Sequence, residues 1–116
     1  MRYELIVGSL LFAAFAAGCA SRPALRTESS TSAIRAAEEV GASGVPGAAL
    51  HLQLAREELD RARGLSDRGE KDEAASQLLR AEADAELAIV LSREQAEKSE
   101  AAQAMERVRR LQNDNR

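Results

Sequence analysis

The chain has 116 residues and a formal net charge of −3, with 45% hydrophobic, 30% charged and only 3% aromatic residues. That length supports one small domain, and without Trp, a basic surface or aromatic–basic interleaving it has nothing on which nucleic-acid binding would depend. A single histidine and a single cysteine exclude a His/Cys zinc site and an intramolecular disulfide.

The chain opens with Arg2 near the tip, a charge-free, mostly apolar run from Leu5 to Ala17, then Gly18 and the lone Cys19. That order is what an export signal needs. The run of about thirteen residues falls short of the roughly 20 that cross a bilayer as a helix, so a transmembrane anchor is the weaker reading. An ordinary secretory signal cut after Ala14-Phe15-Ala16 and a lipoprotein signal cut between Gly18 and Cys19 both stay open. A buried free cysteine is a third reading, but no core-like segment follows Cys19 until about Thr31. The second reading is favoured by Ala16-Ala17-Gly18-Cys19, which resembles a lipobox. The resemblance implies that Cys19 is alkylated by a diacylglyceryl group and becomes the first residue of a mature lipoprotein. Ala20-Ser21, in place of an aspartate after the cysteine, implies by the same analogy the outer membrane, with the domain facing the periplasm. Acyl chains such as palmitate contribute about 0.8 kcal/mol per buried methylene, and one chain anchors only marginally. A lipoprotein's two or three chains hold it permanently, so membrane lipid is the first expected partner. Cys19 would then be consumed, and unable to serve as nucleophile or metal ligand.

Loss of residues 1–18 leaves the charge at −3, because Arg2 and Glu4 leave together, and takes every aromatic residue (Tyr3, Phe12, Phe15) with it. The remaining apolar content is mainly alanine and leucine, a thin helical core poorly suited to enclosing a small molecule. Residues 19–30 read as the lipidated cysteine and a flexible tether: Ala20 to Ser30 is polar, holds Pro23 and shows no period. Its r.m.s. reach is about 20 Å. The helical domain follows over 31–116. A short helix is predicted at about 31–40, capped by Ser or Thr and stopped by Gly41, with Ile34, Ala37 and Val40 on its buried edge. Gly41–Gly47, with three glycines and Pro46, reads as a hinge.

A second helix is predicted at about 48–68, where Leu52, Ala55, Leu59 and Ala62 repeat at three and four, flanked by Leu50, Leu54 and Leu65. Its outer face offers Arg56–Asp60 and Glu57–Arg61 pairs at i,i+4. Gly69 is suited to end this helix and Asp72 to start the next. The third helix, at about 73–111, has an inner stripe of Ala74, Leu78, Ala81, Ala85, Ala88 and Ser92. The spacing near 3.5 implies close antiparallel packing on small residues. At 1.5 Å per residue this helix is a rod of roughly 58 Å, and the shorter second helix cannot cover it beyond about Arg93. Ala96, Ala102, Met105, Val108 and Leu111 form a weak apolar edge there, the candidate partner-binding residues. Glu94–Lys98 and Glu106–Arg110 would support a solvated helix. The expected fold is all-α: an antiparallel helical hairpin with a short N-terminal helix and a long, partly overhanging C-terminal helix.

Three stretches, Ala36–Ala42 (AAEEVGA), Leu54–Ala62 (LAREELDRA) and Ala81–Ala88 (AEADAELA), together span about Ser32 to Val90. In this order they resemble the family of domains of unknown function numbered 4398. The resemblance implies a small exported, often lipidated, alanine-rich helical protein of the bacterial envelope, whose relatives sometimes carry a cell-wall-binding domain of the outer-membrane protein A type. It implies no activity. The hairpin is also similar to one tetratricopeptide-type helix pair, but such repeats need about three copies to bury a continuous core.

Chemistry is sparse. His51 reads as a partly exposed helix residue without a second metal ligand. Glu57-Glu58 and Glu82-Asp84-Glu86 read as solvated faces rather than acid–base pairs. Gly41–Gly47 lacks the P-loop lysine. No catalytic residue, metal or cofactor is expected. The expected function is that of a non-enzymatic outer-membrane lipoprotein, a structural or adaptor module whose partner is an envelope protein or the cell wall. Two alternatives are a homo-oligomeric coiled-coil spacer and a regulatory accessory to a cell-wall enzyme or transporter.

Overall fold

A computed structural model describes residues 25–116; the signal segment, Gly18, Cys19 and the first part of the tether lie outside the described residues. Three helices follow in order, α1 (Glu28–Glu39), α2 (Pro46–Asp67) and α3 (Lys71–Asp114), with a single 3-10 turn at Ala42–Gly44 between the first two. No strand occurs among the described residues. α2 and α3 form the antiparallel hairpin, and α1 lies chiefly against α3. This is the all-α architecture the sequence predicts.

One spacing builds the core. The buried positions are Ser30, Ile34 and Ala37 in α1, Ala48, Leu52, Ala55, Leu59 and Ala62 in α2, and Ala74, Leu78, Ala81, Ala85, Ala88 and Ser92 in α3. Steps of four and three alternate throughout, the signature of helices meeting along a heptad seam. Alanine recurs every seventh residue at 48, 55 and 62 and again at 74, 81 and 88, all with no exposed surface. Small side chains at the crossing let the helix axes approach closely, while Leu52, Leu59 and Leu78 fill the volume between them.

Helix ends follow local chemistry. Gly69 ends α2 with φ 82. The Gly69 N–H donates to the Ser66 carbonyl at 2.9 Å and the Glu70 N–H to the Leu65 carbonyl at 3.0 Å. This is the Schellman pattern, whose left-handed residue suits glycine. Gly41, with φ 77, stops α1 in the same backbone region.

Several boundaries and contacts differ from the sequence expectation. α1 begins at Glu28 rather than about Thr31, because Ser30 is fully buried and its Oγ donates to the Leu78 carbonyl at 3.0 Å. Part of the predicted tether is therefore docked on the core. α2 starts at Pro46, whose fixed φ suits a first helical position, so the last two residues of the predicted hinge, Pro46 and Gly47, are helix. Asp72 lies with Glu73 in the first turn of α3 rather than capping it, where both carboxylates complement the helix dipole. Val40, expected on the buried edge of α1, is the residue that closes the helix and is 39% exposed. Arg56 pairs with Glu38 of α1, not with Asp60, and Asp60 takes Arg63 instead at 2.9 Å. A predicted intrahelical pair is thus an interhelical tie.

Candidate functional site

The feature that separates this molecule from a plain three-helix bundle is how far α3 continues. Its last buried residue is Ser92, whose Oγ donates to the Ala88 carbonyl at 2.8 Å. From Arg93 to the end no residue is buried, and the helix runs on to Asp114, about 33 Å further at 1.5 Å per residue. Intrahelical ion pairs line this overhang. Lys98 Nζ lies 2.6 Å from Glu94 Oε1, and Glu106 pairs with both Arg109 and Arg110. The Lys98 ammonium, through its hydrogen bond and its charge, holds the Glu94 carboxyl below the usual carboxylate range.

Four of the six large exposed apolar residues of α3 share one line, and Leu79 and Met105 lie off it. Leu87, Val90, Val108 and Leu111 are 41%, 57%, 53% and 62% exposed. With Ala83, Ala101 and Ala104 they fall on steps of four and three that start at 83 and end at 111, with Glu94 and Glu97 at the two middle steps. At 100° per residue this second seam runs roughly 160° around the helix from the buried one. α3 therefore carries two heptad seams: an inner one closed by α1 and α2, and an outer one open to solvent.

All five candidate partner-binding residues are exposed. Val108 and Leu111 lie on the outer seam, and Met105, 71% exposed, lies beside it. Ala96 and Ala102 sit away from it, toward the side that continues the inner seam. Ala83, Leu87, Val90, Ala101 and Ala104 were not among the candidates. The signal that finds them is the four–three alternation itself, carried through Glu94 and Glu97. Gly18 and Cys19, the expected cleavage and lipidation residues, lie outside the described residues.

A polar cluster sits across the hairpin. His51 Nδ1 of α2 lies 2.7 Å from Asp84 Oδ1 of α3, with both side chains about a quarter exposed. Two turns along α2, burial and then the nearby Asp84 carboxylate push the Glu58 carboxyl above the usual carboxylate range, against a smaller pull from Arg80 and Arg61. Asp84 and Glu58, read from the sequence as solvated, are thus half-buried and face one another across the two helices. Among the described residues no group of three His, Cys, Asp or Glu is placed to hold a metal ion. The His51–Asp84 pair joins α2 to α3. A shallow groove of about 410 Å³, lined by Leu25, Ser29, Ser66, Ala75, Leu78 and Leu79, lies at the turn end of the hairpin. No described helix is long and apolar enough to cross a membrane.

A family model described as "Domain of unknown function (DUF4398)" matches residues 26–104. The match takes in all of α1 and α2 and extends into the overhang of α3. No curated protein and no solved structure matches the chain.

Proposed function

The chain belongs to the DUF4398 family of domains of unknown function, and from that premise we propose that it is a non-enzymatic, lipid-anchored protein of the outer membrane, facing the periplasm, whose helical domain serves as a structural or adaptor module. Family membership brings no activity with it, so the reading rests on the residues. The observation that carries the adaptor role is the outer seam of α3. Apolar side chains aligned at heptad spacing on a solvent-facing helix mark a protein-contact surface. The core spends its buried residues on alanine packing, and the one histidine–carboxylate pair ties two helices together.

The position of Cys19 after Ala16-Ala17-Gly18 supports the anchor. Two or three acyl chains there would fix the domain permanently. The docking of Ser30 and Leu25 on the core shortens the tether, which brings its r.m.s. reach down to about 12 Å. Envelope proteins and the cell wall are the partners within that reach. The test is fractionation of cells making the full chain or its Cys19→Ser variant. The unsubstituted chain is expected in outer-membrane fractions, cut before Cys19. The variant is expected to stay unprocessed or to leave that fraction. Equal processing and equal membrane retention of the two would contradict the anchor.

A further inference from the structure

We propose that the outer seam of α3 is closed by the same seam of a second copy of this chain, paired antiparallel about a two-fold axis between Gln95 and Ala96. The proposal deepens the adaptor reading by naming the partner, and it rests on that reading only for the place where pairing occurs, since α3 carries it whether or not Cys19 is acylated. The outer seam spans residues 83–111, about four heptads, the length at which a heptad pattern marks a coiled coil. α1 and α2 occupy the opposite side of α3, so they leave the seam accessible.

The choice of a second copy, and of its direction, comes from the residues. A two-fold interface must be self-complementary, each residue meeting its counterpart's partner. About the stated axis Leu87 falls opposite the partner's Ala104, Val90 opposite the partner's Ala101, and Ala83 opposite the partner's Val108. Each of these three layers thus sets a branched side chain against an alanine, the large-with-small arrangement that interdigitates without voids, and Leu111, at the end of the seam, falls opposite the partner's Arg80. The flanking charges agree. Glu86 faces the partner's Arg107 and Arg93 faces the partner's Glu100, opposite signs in both pairs. Glu94 meets the partner's Glu97 in the two layers beside the axis, where Lys98, 2.6 Å from Glu94, offsets part of the negative charge. A parallel pair in register also has two glutamate layers in its core, Glu94 and Glu97 each on itself, and in addition sets Arg93 against the partner's Lys98. Like charges at the flank, where the antiparallel pair has Arg93 against the partner's Glu100, oppose that direction.

The test uses the full chain in envelope fractions of cells that produce it, with single cysteines added at exposed positions and a short bis-maleimide as probe. Lys98→Cys is expected to couple to itself across the axis. Val108→Cys is expected not to, because two such residues lie about 37 Å apart in the antiparallel pair. Ser99→Cys, on the far side of α3 from the outer seam, is the negative control. Adding Arg93→Glu to the Lys98→Cys chain is expected to lower the dimer yield several-fold, and adding Glu100→Arg as well to restore it. All these positions are exposed, so folding is not at stake. The chain with Cys19 alone serves as the blank. A reactive Cys19 in that blank refutes acylation and leaves the pairing standing. Absence of a Lys98→Cys dimer, self-coupling of Val108→Cys to the same yield, or indifference to Arg93→Glu would each overturn the pairing.

Discussion

Single residues set the balance between burial and charge in this domain, and Glu58 shows it most directly. Burial and the Asp84 carboxylate raise its pKa in the folded chain. The fold therefore favours the protonated form. That contribution is present below the ordinary carboxylate range and is lost as pH rises through the raised value. At neutral pH the ionised Glu58 is a cost to the folded state. Glu58→Gln is accordingly expected to raise the thermal midpoint at pH 7, with the difference from the parent chain closing as pH falls through the carboxylate range. A constant difference across that range would contradict the assignment. None of this was readable beforehand. Glu58 and Asp84 belong to separate helices, and their meeting depends on the register between α2 and α3, which neither helix encodes by itself. His51 was legible as a helix residue, while its bond to Asp84 was hidden for the same reason.

At the level of elements, the seam alanines decide how closely the helices lie. Ala81 has no exposed surface, and a leucine there must push α3 away from its neighbours. Ala81→Leu is expected to destabilise the bundle by about 1–3 kcal/mol, measured by urea unfolding, whereas leucine at exposed Ser99, on the far side of α3 from the outer seam, is expected to leave stability nearly unchanged. The inner seam was fully legible, since all six α3 positions predicted from the spacing are buried. Periodicity along one helix needs no knowledge of its partner. Local signals also placed the glycine stops at Gly41 and Gly69. The start of α1 was missed because it depends on a hydrogen bond from Ser30 to Leu78, 48 residues away. The outer seam was read only in part. Steps of three from Ala102 through Met105 and Val108 to Leu111 drift across the helix face, and Glu94 and Glu97 interrupt the apolar pattern at the middle of the true seam.

Across the whole molecule, a short bundle and a long open helix divide the work. The bundle holds α3 straight and places the start of α1, and with it the tether, near the turn end of the hairpin, where Leu25 lies beside Leu78 and Leu79. In the proposed pair the two bundles stand at opposite ends of a shared rod, their tethers about 50 Å apart by helical rise. Two acylated Cys19 residues in one membrane would then lay that rod along the membrane surface. The central claim is that the outer seam of α3 is a contact surface rather than a solvated face. A helix end of about 22 residues with no partner is marginal in water and frays from its terminus. Amide hydrogen exchange on the full chain in its own membranes tests the claim most directly. Protection that continues from Ser92 through Ala101 and Ala104 to Val108 is the predicted result. Protection that decays steadily beyond Arg93, as in an isolated helix, would contradict it.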